Sequence, residues 1–344
     1  MSMWSQEKYS KDLGMNEKLK AVLAVCGFLV AAALVSLIVF WPYQKVWSSE
    51  NEYDTLFLGA SRTYKGIEPL IIDRELNCNS YLLASDSCSL EDRYYLLESA
   101  LEQKSLKRVI IEISFDAFAD YWEDNYVYEV EPMSKLEGIG RKIRFSYGRF
   151  DFWQDEYDNV YPALMSYGVE RWICNMQGKA EEKGFVRSET ASQVTPDDRI
   201  AADYNADRIN TNYVEEKISW AEKTIELALE NNLEVILINT PDTETKLWRF
   251  TGWEVYQECL EGIAEKYGVE FYDFNLYIGR EDILNDDLHF FDENHLSGDG
   301  ADVFTNVLVQ VIRDRDSGKS VDDMFYASYE EAKENLTYAE YMEQ

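Results

Sequence analysis

The feature that most limits how this chain can fold is an uncharged run of 21 residues, Ala21 to Trp41 (AVLAVCGFLVAAALVSLIVFW). A helix of this length spans roughly 30 Å, the thickness of a bilayer's hydrocarbon core, and satisfies its own backbone hydrogen bonds there. A cleavable signal peptide is the alternative, but its apolar region usually has only about 7–15 residues. We therefore predict an uncleaved transmembrane helix over residues 21–41.

The lysines around this run predict its orientation. Lys8, Lys11, Lys18 and Lys20 precede it, whereas Lys45 stands nearly alone just after it. Because basic residues favour the cytoplasmic side, residues 1–20 are predicted to be cytoplasmic and the rest of the chain extracellular. The chain has 33 Lys and Arg against 65 Asp and Glu, a formal net charge of −32. Such a field repels phosphate backbones, so no nucleic-acid partner is expected.

Beyond residue 50, short apolar segments alternate with segments of helical periodicity. The predicted strands are 54–59, 81–83, 108–113, 233–238 and 269–272, and the predicted helices are 90–103, 213–232, 252–267 and 297–313. This alternation predicts a parallel sheet of about five strands with helices on both faces, a three-layer α/β architecture. Ligands of such sheets bind beyond the carboxyl ends of the strands.

Two parts of the chain beyond residue 50 do not show this alternation of strands and helices. Residues 115–212 show no strand–helix alternation, and we predict a mostly helical insertion packed beside the strand ends. The acidic tail, residues 315–344, is predicted to contain a helix near Tyr329–Tyr341 and to lie on the surface. The predicted α/β domain then covers residues 50–314, with the insertion inside it.

The chain has only two histidines, His289 and His295, which narrows the choice of a base that titrates near neutrality. Asp292 precedes His295 by three residues, a spacing that lets its carboxylate hold one imidazole nitrogen. Alternatively, Asp292 or Ser297 only caps the final helix. Ser61 follows the first strand and its glycine turn, where it could be a nucleophile or a plain helix cap. Together the three residues supply a triad in the order Ser…Asp…His.

These residues resemble the sequence blocks of the SGNH/GDSL hydrolase superfamily. The matching segments are 58–64 (LGASRTY), 81–87 (YLLASDS), 111–116 (IEISFD) and 292–297 (DENHLS) with Gly300-Ala301. The resemblance covers about residues 50–312 and is strongest to the membrane-anchored bacterial branch, which includes D-alanyl transfer and alginate O-acetylation proteins. It implies a flavodoxin-like α/β/α fold with Ser61 as nucleophile, His295 as general base and Asp292 as its orienting partner, and it implies no cofactor.

The chain departs from the family at the oxyanion hole. Where the family has a glycine in its second block, Ala84 or Ser87 stands at the comparable position. Where the family has an asparagine in its third block, Ser114 or Asp116 stands nearby, and an ionised aspartate cannot donate a hydrogen bond. We therefore expect acyl transfer either to be slow or to depend on the backbone amides from Ala60 to Arg62.

The side chain of Arg62 has two interpretations, because it directly follows Ser61 in a very acidic domain. It could hold an anionic group of the substrate, or it could form an internal salt bridge, and the second is favoured. Cys78 and Cys88 leave two alternatives open as well: a disulfide in an oxidising compartment, or two free thiols. No C-x-x-C spacing occurs, so a metal site is not expected.

The sequence and the resemblance predict a membrane-anchored extracellular serine esterase or O-acyltransferase that acts on a cell-envelope polysaccharide or teichoic-acid-like polymer. A multi-span membrane acyltransferase that donates the acyl group is an expected partner by analogy with the family. The alternative is a non-catalytic envelope protein that keeps the fold and binds a polymer or a partner subunit.

Overall fold

The computed structural model describes residues 3–40, 52–118, 126–137, 139–149, 183–188, 215–249 and 252–334. The first helix, α1, runs from Met3 to Phe40. Within it, Glu17–Val35 has a mean hydropathy of 2.1, and none of this segment is buried inside the protein. By length and composition, α1 is the one described helix that could cross a membrane. Its exposure distinguishes it from the core helix of a soluble protein, which would bury such a surface.

Five strands form one wholly parallel sheet in the order β2-β1-β3-β4-β5. The strands are β1 Thr55–Gly59, β2 Ser80–Ala84, β3 Arg108–Glu112, β4 Glu234–Asn239 and β5 Glu270–Asp273. This is the strand order of flavodoxin-like folds, whose ligand site lies where the order reverses between β1 and β3. The predicted parallel α/β architecture is thus confirmed.

Helices connect the strands and cover both faces of the sheet. They are α2 Ser61–Gly66, α3 Pro69–Leu76, α4 Leu90–Ala100, α5 Tyr126–Lys135, α6 Ile139–Arg149, α7 Glu215–Glu230, α8 Glu244–Arg249, α9 Trp253–Tyr267, α10 Arg280–Ile283, α11 Asp286–His289, α12 Gly298–Asp316 and α13 Tyr329–Glu334. The four helices predicted for the core correspond to α4, α7, α9 and α12, with small shifts at their ends.

Alternate side chains of each strand enter two hydrophobic cores, one on each face of the sheet. On β1, Leu56 and Leu58 enter the core that α4, α7 and α9 cover, whereas Phe57 enters the core covered by α3 and α12. All three side chains are completely buried. Burial of a side chain of this size contributes about 1.5–3 kcal/mol, so both layers of helices hold the sheet in place.

The predicted insertion, residues 115–212, is described only in part. Helices α5 and α6 lie within it, and residues 119–125, 138, 150–182 and 189–212 of it lie outside the described residues. Helix α5 contacts the end of β2, because Lys135 donates to the carbonyl of Ala84 and Glu131 accepts from the amide of Asp86 at 2.9 Å. This helix therefore lies beside the strand ends.

Cys78 and Cys88 are both free thiols, so of the two alternatives the structure contains the unpaired one. Burial raises the pKa of Cys78 to about 11 and that of Cys88 to about 12. Both thiols are therefore protonated at neutral pH, and neither is a reactive nucleophile.

Candidate active site

Ser61 is positioned by the tight turn that follows β1. The strand ends at Gly59, Ala60 is extended, and Ser61 is the first residue of α2. A Cβ atom at Gly59 would overlap Oγ1 of Thr63 and lie 3.0 Å from the Cβ of Glu112, so a larger residue there would have to displace both side chains. The amide of Thr63 donates to the carbonyl of Ala60 at 3.0 Å and closes the turn. Ser61 thereby lies at the carboxyl end of the sheet.

The structure brings Ser61, His295 and Asp292 into one hydrogen-bonded chain. Ser61 Oγ lies 2.6 Å from Nε2 of His295. On the other side of the ring, Nδ1 lies 2.7 Å from Oδ2 and 2.8 Å from Oδ1 of Asp292. These are the contacts of a nucleophile, a base and the carboxylate that orients the base. The sequence expectation for their geometry is met, and their catalytic roles stay a prediction.

Asp292 and His295 lie in the loop between α11 and α12, and the loop's own hydrogen bonds fix one relative to the other. Oδ1 of Asp292 accepts from the amides of Asn294 at 2.8 Å and His295 at 2.9 Å. Ser297 is the residue that caps α12, since its Oγ accepts from the amide of Gly300 at 3.2 Å. Asp292 therefore contacts the imidazole of His295, and Ser297 is the residue that caps α12.

Two opposing effects set the pKa of Asp292. Burial raises this pKa, but the hydrogen bond with His295 and the amide of Asn294 outweigh burial, and the pKa is lowered overall. Asp292 is therefore a carboxylate at neutral pH. It keeps the proton of the neutral imidazole on Nδ1, which leaves Nε2 as an acceptor for the hydroxyl of Ser61.

The second histidine, His289, has a different environment. Its Nδ1 accepts a hydrogen bond from the amide of Asn285 at 2.9 Å, at the start of α11. Among the described ranges, no group of three or more His, Cys, Asp or Glu side chains could hold a metal ion.

A buried cluster of charges lies directly beside the triad. Arg62 donates to Asp242 at 2.6 Å, to Asp116 at 2.7 Å and to Asn294 at 3.1 Å. Lys246 donates to the same three residues, at 2.8 Å to Asp242, 3.2 Å to Asp116 and 2.8 Å to Asn294. Reasoning from the sequence missed Lys246, Asp242 and Asn294. Only Asn294, which lies within the block that carries Asp292 and His295, had any local signal.

The side chain of Arg62 is an internal ion-pair partner. Burial lowers its pKa, but Asp242 and Asp116 outweigh burial, so the pKa is raised and the guanidinium stays charged. The side chain is only 5% exposed. Of the two interpretations of Arg62, the structure therefore contains the salt bridge, because the guanidinium is buried and paired with Asp242 and Asp116.

The second sequence block lies next to the turn that bears the candidate nucleophile. Ala84 is the register partner of Gly59, so the end of β2 adjoins the end of β1. Ser87 follows in a loop with φ 47°, in the left-handed region that non-glycine residues rarely adopt. Tyr64 of α2 donates to the carboxylate of Asp86 and so links this loop to α2. Ala84 thus lies beside the end of β1, and the roles of Ala84 and Ser87 at the oxyanion stay a prediction.

The amide of Ala60, a predicted oxyanion donor, and the third-block residue Asp116 both have partners inside the protein. The amide of Ala60 points at Oε2 of Glu112, 3.5 Å away, and so is directed into the protein rather than toward a bound substrate. Asp116 is an ion-paired carboxylate, so it accepts hydrogen bonds and cannot donate one to an oxyanion. The amides of Ser61 and Arg62 begin α2, where no helix carbonyl can reach them, and they stay the predicted donors. Ser114 is buried at the end of β3.

Another buried acidic residue, Asp273, lies at the end of β5 and contacts the tail. Asp273 accepts from Asn239 at 3.0 Å and from the hydroxyl of Tyr329 in α13. The ring of Tyr329 stacks on Trp253, with 4.9 Å between ring centroids, so this part of the tail packs on the domain. Residues 335–344, which include the rest of the predicted tail helix, lie outside the described residues. Burial raises the pKa of Asp273 to about 7.

This pKa predicts a pH effect on stability. A carboxyl whose pKa is higher in the folded state stabilises the fold at low pH, and the contribution is lost as the pH rises through about 7. Asp273→Asn mimics the protonated form and still offers an oxygen to Asn239. We expect equal stability of the two proteins at pH 4 and a variant more stable by roughly 2–4 kcal/mol at pH 8, because each pKa unit corresponds to about 1.4 kcal/mol. Urea unfolding at both pH values measures this difference, and equal stability at pH 8 would contradict it.

Among known proteins, no family model and no curated protein matches the chain. The chain is similar to the crystal structure of a GDSL-like lipase from Bacteroides thetaiotaomicron, with a TM-score of 0.36 and 12% identity over 78% of this chain and 91% of that chain. It is also similar to a protein from Bacteroides fragilis assigned provisionally as an acylhydrolase, with a TM-score of 0.36 and 14% identity over 78% and 89% of the two chains. At this low similarity the two structures support no inference about activity, and the proposed function rests on the geometry of the site.

Proposed function

We propose that the protein is a membrane-anchored serine esterase or O-acyltransferase of the SGNH/GDSL type. The observation that carries this proposal is the contact of 2.6 Å between Ser61 Oγ and His295 Nε2. The same ring is held from its other side by Asp292. A serine hydroxyl is a weak nucleophile at neutral pH and needs such a base within hydrogen-bond reach.

In the acylation step, His295 Nε2 takes the proton of Ser61 while Oγ forms a bond to the carbonyl carbon of the ester. The carbonyl oxygen becomes an oxyanion, which the amides at the start of α2 stabilise. When the tetrahedral intermediate collapses, the bond to the alcohol oxygen breaks and His295 gives its proton to that oxygen. The products are an acyl-Ser61 ester and a free alcohol, and His295 has given up the proton that it took from Ser61.

The second step decides between hydrolysis and transfer. His295 removes a proton from water or from a sugar hydroxyl, whose oxygen attacks the acyl carbon. The bond between the acyl carbon and Ser61 Oγ then breaks, and His295 returns the proton to Oγ. Water gives a free acid and the sugar gives a new ester, and both reactions use the same residues. The triad is therefore compatible with an esterase and with an acyltransferase.

The anchor favours a substrate that is held near the membrane. Helix α1 is long and apolar enough to cross a bilayer, and the lysines before it favour a cytoplasmic N-terminus. A tether limits the enzyme to the membrane surface, which benefits reaction with a polymer fixed there. We therefore propose a cell-envelope glycan or teichoic-acid-like polymer as substrate, and a multi-span membrane acyltransferase as acyl donor if the reaction is transfer.

Covalent labelling tests the proposal without knowledge of the natural substrate. A fluorophosphonate probe added to the full chain in detergent should form a covalent bond to Ser61, which mass spectrometry of peptides locates. Labelling requires an activated serine, because fluorophosphonates react slowly with ordinary hydroxyls. Heat-denatured protein is the control and should not react. Absence of label from Ser61 in the folded protein would oppose the catalytic function.

A second candidate, a non-catalytic envelope protein that binds a polymer or a partner subunit, has one observation in its favour. The asparagine of the third block, which should donate to the oxyanion, is absent, and of the two residues near that position Asp116 is an acceptor bound to Arg62 and Lys246. Loss of one oxyanion donor typically lowers turnover by about 10²–10³-fold. A folded protein that neither takes the probe at Ser61 nor turns over any acyl ester would support this candidate.

A further inference from the structure

Asn294 joins the segment that carries the nucleophile to the segment that carries the base. Its Oδ1 accepts from Nη2 of Arg62 at 3.1 Å and from Nζ of Lys246 at 2.8 Å. Arg62 directly follows Ser61 in the chain, and Asn294 directly precedes His295. The contact between Arg62 and Asn294 therefore lies one residue from the nucleophile on one side and one residue from the base on the other.

The two cations that hold Asn294 are themselves fixed. Both donate to Oδ1 of Asp242 and to Oδ2 of Asp116, at distances from 2.6 to 3.2 Å. The side chains of Arg62, Lys246 and Asp242 are 5%, 2% and 0% exposed. Two positive and two negative charges balance, and hydrogen bonds between buried charged groups are strong and geometrically specific. Asn294 thus adds a neutral acceptor to a rigid cluster.

The loop that carries His295 is buried at its ends, at Phe290 and Leu296, but is more open between them. The side chain of Asp292 is 42% exposed and that of His295 is 17% exposed, so the middle of the loop depends more on hydrogen bonds than on burial. The hydrogen bonds inside the loop fix Asp292 relative to His295. They do not fix either residue relative to Ser61, which is 234 residues away in the chain.

We propose that Asn294 is a positioning residue that sets the distance between Ser61 Oγ and His295 Nε2 through Arg62 and Lys246. The inference rests on the proposed roles of Ser61 and His295. Asn294→Ala removes the acceptor and releases the loop, and a displacement of about 1 Å at a reacting pair can cost about 10²-fold in rate. Asn294→Asp keeps an oxygen toward both cations and should keep the loop in place.

The test compares the rates at which a fluorophosphonate labels Ser61 in the full chain in detergent. We expect Asn294→Ala to label about 10²-fold more slowly than the unchanged protein, and Asn294→Asp to stay within about tenfold of it. The matched control is Asn79→Ala, because Asn79 is also half-buried and its Oδ1 also accepts from a lysine, Nζ of Lys183 at 2.6 Å, but it lies at the amino end of β2, away from the carboxyl ends of the strands. It should lower the melting temperature at least as much as Asn294→Ala and leave the labelling rate unchanged.

A second measurement separates this inference from the proposed function. With ¹⁵N-histidine in the chain, nitrogen chemical shifts report which ring nitrogen of His295 carries the proton, and His289→Asn identifies its signals. Asn294→Ala should leave the proton on Nδ1, because Asp292 moves with the ring, and should shift the Nε2 signal, because Nε2 loses its contact with the hydroxyl of Ser61, whether or not Ser61 reacts. A shifted Nε2 signal in Asn294→Ala without labelling of the unchanged protein would refute the catalytic proposal and support the positioning role. Equal labelling rates and an unchanged Nε2 signal in Asn294→Ala, or an equally slow Asn294→Asp, would overturn the positioning role.

Discussion

Replacing Ser61 with alanine is expected to lower kcat/KM for a generic ester such as p-nitrophenyl acetate by about 10⁴–10⁶-fold, because no other group can form the acyl ester. His295→Ala should cost a similar factor, since the hydroxyl then lacks a base within reach. The double variant should be little worse than either single variant. Members of a triad act as a unit, so their losses do not add.

Asp292→Asn should cost less than either change, roughly 10²–10⁴-fold, because it leaves the nucleophile and base in place and disturbs the tautomer of the imidazole. The exposure of Asp292, 42%, is a reason to expect the lower part of that range, since water can replace part of its role. His289→Ala is the matched control. Its ring accepts from the amide of Asn285 and is not in the triad, so turnover should be retained.

The assay uses the full chain purified in detergent, with initial rates measured over a range of ester concentrations. An unchanged rate in Ser61→Ala would refute the covalent mechanism. Additive losses in the double variant would show that Ser61 and His295 do not act on the same step.

Gly300→Ala is expected to have the largest effect of any substitution outside the triad and its charge cluster. A Cβ atom there would overlap the carbonyl oxygen of His289 and lie 2.8 Å from its carbonyl carbon. The same carbonyl accepts from the amide of Ser297 at 2.8 Å, so the first turn of α12 and the end of α11 are already in close contact. Because the obstacle is backbone, no side-chain rotation can relieve the overlap.

The backbone that must move leads directly into the loop of Asp292 and His295. We expect Gly300→Ala to lower the free energy of unfolding by about 3 kcal/mol and to slow ester turnover by about 10²-fold. The control is Gly262→Ala in the exposed part of α9, where a Cβ meets no atom within 4 Å. It should stabilise the protein by about 0.5–1 kcal/mol, as alanine does in an open helix. Urea unfolding and ester turnover that match the unchanged protein in Gly300→Ala would contradict this account.

The sequence by itself determined the elements and the local part of the site. The period of the apolar residues placed each strand and core helix close to its observed position, because that period follows from backbone geometry alone. The contact between Asp292 and His295 could also be predicted from the sequence, since the two residues are three apart and a short turn brings them together. The position of Ser61 followed from the same logic, because in a parallel sheet every strand delivers its next residue to one edge.

The tertiary structure alone decided which side chains surround these three residues. Arg62 and Asp242 are 180 residues apart, and Asp273 and Tyr329 are 56 residues apart, so no local sequence pattern predicts either contact. Each pair exists because the fold brings the two segments together and because a charge removed from water is stabilised by a hydrogen-bonding partner. Side-chain chemistry and local turns can therefore be inferred from the order of residues. The environment that fixes the geometry of those side chains is set by which distant segments the fold brings into contact.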